Sequence, residues 1–239
     1  MPSNGAARQL YEEGRLGEAI EALSAELRED PGNLRSRTFL FELLCFAGEF
    51  DRARKQLDAI GVSDPEQQLT TSWYQEALHA LEQRQEMFDS GDLPGDREGS
   101  GPITGTLNGE PFEDLRDADP RIGRSLEAIV GGRYTWIPFE HLVGVKAEPP
   151  ERLRDLFCLP AEIEGTPDLG GISNDILLPV MTPGSWRHPD ELVRLGRLTA
   201  WEKGDSGEEI PVGQKLLVVD GEDVPLLELR ELRFDGSES

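Results

Sequence analysis

Apolar residues in the first third of the chain fall at helical spacing, and the pattern occurs twice. Ala19, Leu23 and Leu27 stand four apart and share one helix face. Leu10, Gly14, Leu16, Ala19, Leu23, Asp30 and Pro31 return 34 residues later as Leu44, Gly48, Phe50, Ala53, Leu57, Asp64 and Pro65. The spacing predicts a first helix over 6–13 and a second over 16–29, and the same pair again one period on. Gly14 and Gly48 then sit in the turns between paired helices, where a residue without Cβ permits a tight bend. Pro31 and Pro65 follow the second helix of each pair and stop it. A further helix is predicted over 67–88, with Trp73, Ala77, Leu78 and Leu81 on its apolar face. It has no glycine turn and no second helix, so it reads as the cap that an open stack requires.

A 34-residue period is that of a tetratricopeptide unit. Such stacks hold other proteins, accepting a peptide or helix on the surface lined by the first helix of each pair. Candidate partner-binding residues on that surface are Leu10, Tyr11, Phe41 and Leu44, although Leu10 and Leu44 are repeat-matched and serve equally well as core. The stretch Ser90 to Gly101 is rich in Gly, Pro and Asp and has one bulky apolar residue. It reads as a linker, which divides the chain into a helical domain at 1–89, a linker at 90–101 and a second domain at 102–239.

Beyond the linker the period changes. Residues 103–107 alternate and end at Asn108-Gly109, a hairpin signal. Asp119-Pro120 has the form of a helix start, with Ile122, Leu126 and Ile129/Val130 as an apolar stripe and Gly131-Gly132 as the stop. Strands are predicted at 133–137, 142–147, 157–163, 176–181, 197–202, 215–220 and 226–234, with short helices at 151–156 and 189–195. Many short strands and few helices indicate an α+β domain around a twisted, mainly antiparallel sheet. The fold expected is therefore multidomain, tetratricopeptide-like helices followed by an α+β unit.

Charge narrows the partners. The chain carries 24 basic and 47 acidic residues, a formal net charge of −23, and both sides of Gly95 are acidic. Such a field repels phosphate backbones and argues against nucleic-acid binding. Cys45 and Cys158 are far apart, which excludes a disulfide scaffold, and the N-terminus carries no signal-peptide pattern. No apolar run has transmembrane length, so a cytoplasmic protein is expected. His79, His141 and His188 have no partner at metal-ligand spacing, and no metal or cofactor is expected. The run from Glu113 to Asp119 could offer carboxylates to a hard cation, but it leads into the Pro-started helix, where acidic residues cap and complement the dipole. Tyr134, Trp136 and Phe139 crowd around Pro138, either as a sheet-face core or as an aromatic contact surface.

Several ordered motifs in this half resemble one family. They are Asp117-Ala118-Asp119-Pro120-Arg121-Ile122-Gly123, Leu126-Glu127, the run Gly132 to Glu140, Pro150 to Leu156 with Arg154 and Asp155, Pro160-Ala161, Leu178-Pro179-Val180, Pro183-Gly184-Ser185, and Leu195 to Trp201. Together they are similar to the ImpE family, also called TagJ or SciE, an accessory protein of bacterial type VI secretion. Cys158-Leu159 and Thr182 stand where the family commonly has aromatics. The resemblance implies a virulence-associated adaptor without catalytic residues, linked to the small subunit of the contractile sheath and to the sheath-disassembling AAA+ ATPase, ClpV. It marks Asp117, Asp119, Arg121, Gly123, Tyr134, Trp136, Pro138, Phe139, Glu140, Arg154 and Asp155 as signature residues, structural or interfacial. Two rival readings stand beside it: a metal-dependent hydrolase using Asp117, Asp119 and Glu140, and a purely structural scaffold for oligomers.

Overall fold

Four helices form as the two pairs of the repeat and a fifth follows them: α1 (Asn4–Glu12), α2 (Leu16–Glu29), α3 (Leu34–Phe46), which starts earlier than one period after α1, α4 (Phe50–Ser63) and α5 (Gln68–Ser90). The computed structural model describes residues 4–63, 68–94, 101–167, 171–204 and 207–236. Pro65 and residues 95–100 of the expected linker lie outside the described residues. The two helix pairs close in the same way. Arg15 donates its backbone N–H to Leu10 at 2.9 Å, and Glu49, one period on, donates to Leu44 at 3.0 Å. The turn glycines adopt left-handed φ angles, 81° at Gly14 and 69° at Gly48, which side-chain-bearing residues rarely take. The repeat-matched Leu16, Ala19, Leu23, Phe50, Ala53 and Leu57 are all buried. Asn33 caps α3 by accepting a hydrogen bond from the Ser36 backbone. No helix among the described residues is long and apolar enough to cross a membrane.

The second half is built on strands β1 (Gly105–Leu107), β2 (Glu110–Phe112), β3 (Leu115–Asp117), β4 (Ser125–Val130), β5 (Arg133–Pro138), β6 (Leu142–Lys146), β7 (Cys158–Gly165), β8 (Ile172–Pro179), β9 (Thr199–Lys203), β10 (Glu209–Gly213), β11 (Leu216–Val219), β12 (Glu222–Pro225) and β13 (Glu231–Phe234). Eight of them form one sheet in the order β2-β1-β13-β6-β7-β8-β4-β5, with every pairing antiparallel. β12-β11-β3 form a three-stranded sheet and β9-β10 a separate hairpin. Asn108-Gly109 makes the expected turn and Asp220-Gly221 makes another of the same kind, each with positive φ at both residues. A sixth helix, α6 (Glu191–Arg194), lies within the predicted 189–195 segment.

The helix expected after Asp119 is not formed. Asp119 instead holds a short turn, its Oδ1 accepting from the Arg121 backbone and its carbonyl from Ile122 and Gly123. Residues 125–130 are strand β4, and Gly131-Gly132 is the turn into β5. The reason is double burial. Leu126 and Ala128 join the core of the sheet half, while Ile129 joins the core shared with the helices. A strand buried on both faces loses the alternation that would reveal it. The helix expected at 151–156 is reduced to a 3-10 turn at Leu153–Leu156, whose entry Asp155 holds through the backbone N–H groups of Glu151 and Arg152.

One core cluster contains residues of all five helices together with Ile129, Phe157, Cys158, Leu177, Met181 and Leu195 from the sheet half. A second lies within the sheet half around Leu142, Leu178 and Leu232. Ala19 and Ala53 are completely enclosed. Replacing either by Leu should overpack a helix–helix contact and destabilise by roughly 1–3 kcal/mol, measured as a drop in urea midpoint at unchanged slope.

Candidate functional site

The helical turns are themselves a binding site, and the sheet half occupies it. A Cβ on Gly48 would lie 2.3 Å from the Trp186 indole, and one on Gly14 would lie 2.5 Å from the Leu192 side chain. Each glycine of the repeat thus serves twice, for its φ angle and for the close approach of a side chain from 186–192. The ends of the helices are used as well. Glu191 accepts a hydrogen bond at 2.8 Å from Gly17 at the N-terminus of α2, where the dipole favours a carboxylate. Arg197 donates to the carbonyls of Tyr11 and Glu12 at the C-terminus of α1, at 2.6 and 2.9 Å, and its guanidinium lies over the Tyr11 ring. Phe50 packs edge-on against Trp186.

The surface expected to receive a partner is also filled from within. Glu42, Cys45 and Phe46 lie on one face of α3 at i, i+3 and i+4. Phe46 meets Phe157 edge-on, Cys45 lies beside Cys158, and Glu42 beside Arg154. Phe41 and Leu44 are 2% and 0% exposed, so these two expected anchors belong to the core. Phe41 packs on Tyr74, over whose ring Arg154 stacks. Leu10 and Tyr11 are half-buried, with Tyr11 edge-on to Phe39. A signal for this was present: the run Phe39 to Phe46 is apolar on every face except at Glu42, the mark of a helix covered all round.

A buried charge network joins α5 to the sheet. Arg84 of α5 and Glu127 of β4 form a two-pronged ion pair at 2.7 and 2.8 Å, both nearly inaccessible. Arg84 also donates to the Met181 carbonyl. Lys215, 2% exposed, bonds both Glu127 and Asp117. Tyr134 donates its hydroxyl to Glu127, and the Trp136 indole N–H donates to Tyr134. Burial pushes the Glu127 carboxyl up, but Arg84 and Lys215 together hold it well below its ordinary range. Burial raises Asp117, with Lys215 working against the rise. The central residues, Arg84 and Lys215, carry no pattern in the sequence that marks them; isolated buried cations become visible only with their partners.

Of the carboxylates of the hydrolase reading, Asp117 and Asp119 are neighbours, the Asp119 backbone N–H donating to Asp117, but each is held by a cation and Glu140 lies apart. Asp117 is engaged by Lys215, and Asp119 by both prongs of Arg121. Glu140 is exposed and lines a different cavity, with Pro102 and Phe234. No group of three or more His, Cys, Asp or Glu among the described residues could hold a metal ion. Tyr134 and Trp136 share a face directed at α5, where Trp136 meets Phe88. Phe139 is buried elsewhere, stacked on Phe234, and Pro138 is buried beside it in the chain. Gly123, with φ 59°, returns its carbonyl to the Asp117 backbone N–H. The aromatic signature thus divides between two cores.

Arg84→Met should destabilise by about 3–5 kcal/mol, because it leaves Glu127 buried with less compensation. Adding Glu127→Leu removes one cation and one anion together and should recover part of the loss, read as a coupling energy in a double-mutant cycle. A second expectation concerns Glu42, whose pKa burial pushes up to about 7 from 4.5. A raised pKa means that the folded state holds the proton more tightly. The contribution is full below the ordinary carboxylate range and is lost as pH rises through about 7. Glu42→Gln should therefore gain stability relative to the parent between acidic and mildly alkaline pH, by on the order of 1–3 kcal/mol, seen in paired denaturation curves.

Comparison with known proteins agrees with this architecture. The model of the ImpE protein family matches residues 109–233, and a tetratricopeptide repeat model matches residues 10–70. The type VI secretion system accessory component TagJ of Pseudomonas aeruginosa is 35% identical over 266 residues, covering 98% of this chain and 92% of that protein. The crystal structure of protein VPA1032 from Vibrio parahaemolyticus superposes with a TM-score of 0.83, covering 96% of this chain and 97% of that one. At 20% identity that likeness speaks for the fold. A signature in the sheet half, a repeat in the helical half and a relative alike over nearly the whole length lead to one conclusion: the chain belongs to the ImpE family.

Proposed function

We propose that this protein is a non-enzymatic accessory component of a type VI secretion system, acting in the cytoplasm as an adaptor for the small subunit of the contractile sheath and for the sheath-disassembling ATPase, ClpV. The observation that carries this reading is the relationship to an accessory component along almost the entire chain. The placement of the signature carboxylates supports it, since Asp117 and Asp119 are spent on ion pairs that hold the fold. The repeat is of a type that binds proteins, but its lining is covered by 153–158 and its turns by 186–197. The partner is therefore met by the outer surface of the assembled chain and not by the inner face of an open stack.

The full chain is the proper reagent, because the helices share a core with the sheet half. Titration calorimetry and co-elution with purified sheath small subunit and with the ATPase N-terminal domain should give saturable binding to at least one of them. Raising salt should slow association more than it speeds dissociation, since the net charge of −23 acts chiefly on encounter. Absence of heat and of co-elution with both partners overturns the reading.

A further inference from the structure

Three of the four tryptophans are engaged within the fold. Trp73 packs on Tyr74, Trp136 on Phe88 and Trp186 on Phe50. Trp201 is different: it is 44% exposed, and no aromatic or cationic neighbour among the described residues covers its ring. It lies on β9 and lines an open cleft of about 800 Å³ between the β9-β10 hairpin and the β12-β11-β3 sheet. That is the size of pockets that take ligands. The cleft has an apolar floor that includes Ala118 and Val218. Its polar lining is mainly acidic: Glu208 and Glu209 on the hairpin side, and Asp223 on the opposite side. Asp117 also reaches it but is neutralised by Lys215. Arg116 is the single cation among the described residues of the lining. Glu208 has one carboxylate oxygen, Oε2, buried without a hydrogen-bond partner among the described residues. Arg121 acts on Glu208 from a distance but is matched by Asp119.

We propose that this cleft is a docking site for an arginine-bearing segment of a partner protein, the guanidinium lying on the Trp201 ring and bonding the Glu208, Glu209 and Asp223 carboxylates. An exposed indole is the strongest aromatic acceptor for a cation, and guanidinium is the cation that best combines stacking with two-pronged bonds to carboxylates. A cleft of about 800 Å³ has room for more than one side chain, so the flanking backbone of the segment lies over the apolar floor. The proposal gives the adaptor reading a location, but it rests on the cleft and is tested separately.

The probe is a short fluorescein-labelled peptide of alternating arginine and alanine, with a glutamine–alanine peptide as control, followed by anisotropy against the full chain. Saturable binding of the arginine peptide alone is expected. Trp201→Ala should weaken it about tenfold, as should the triple change Glu208→Gln, Glu209→Gln, Asp223→Asn. A remote change of similar kind, Asp51→Asn with Glu148→Gln, should leave it within about twofold. Thermal melts check that each variant is folded; Trp201→Phe, which keeps an aromatic face, should retain part of the affinity. Equal binding to all variants would mean general attraction to an acidic protein and overturns the proposal. So does the absence of binding, or a Trp201-dependent self-association in light scattering, which would assign the cleft to a second copy. Arginine-peptide binding that Trp201→Ala leaves unchanged, beside intact sheath-subunit or ATPase binding by the parent chain, would overturn the cleft while leaving the adaptor reading intact. Arginine-peptide binding without any sheath or ATPase binding would do the reverse.

Discussion

Two cations and two carboxylates buried together must neutralise one another, and here they do so across the boundary between helices and sheet. Arg84 comes from α5, Glu127 from β4, Asp117 from β3, and Lys215 from the residue before β11. Removing any one member leaves a buried charge without full compensation, which costs several kcal/mol. The network need not add net stability over an apolar alternative. What it imposes is an arrangement: α5 can lie on the sheet only where Arg84 meets Glu127, and the β3-β11 pairing must bring Lys215 to both acids. Tyr134 and Trp136 extend the same chain of bonds along β5.

Given that anchor, the rest of the interface follows from the repeat. Two helix turns of similar geometry, one period apart, receive Leu192 and Trp186. The helix ends supply dipoles of opposite sign, met by Glu191 and Arg197. A scaffold usually open to foreign peptides is here closed by its own chain. In the adaptor role proposed above, recognition falls on surfaces that the assembled fold creates. The proposed cleft beside Trp201 is such a surface, since its walls come from a hairpin and a sheet that meet only in the folded protein.

The legible parts of the fold were those governed by neighbours in the chain. Helix α2 shows its face at four-residue spacing, and Asn108-Gly109 and Asp220-Gly221 announce their turns by residues that tolerate positive φ. Strand β4 was not legible, because burial on both faces erased its alternation and Asp119-Pro120 imitated a helix start. Phe41 and Leu44 were ambiguous for a related reason. A helix's own residues state that a face is apolar, but not whether a partner or the same chain covers it.

By itself, then, the sequence determined the 34-residue repeat, the acidic charge, the hairpin turns and the family signature, all properties of residue type and spacing. Tertiary structure alone decided that Arg84 and Lys215 meet Glu127, that Gly48 makes room for Trp186, and that Trp201 is left uncovered. Local preferences act over a few residues and can be read from order. Charge pairing and close packing join residues tens or more than a hundred positions apart, and their strength depends on burial that exists only once the chain has folded.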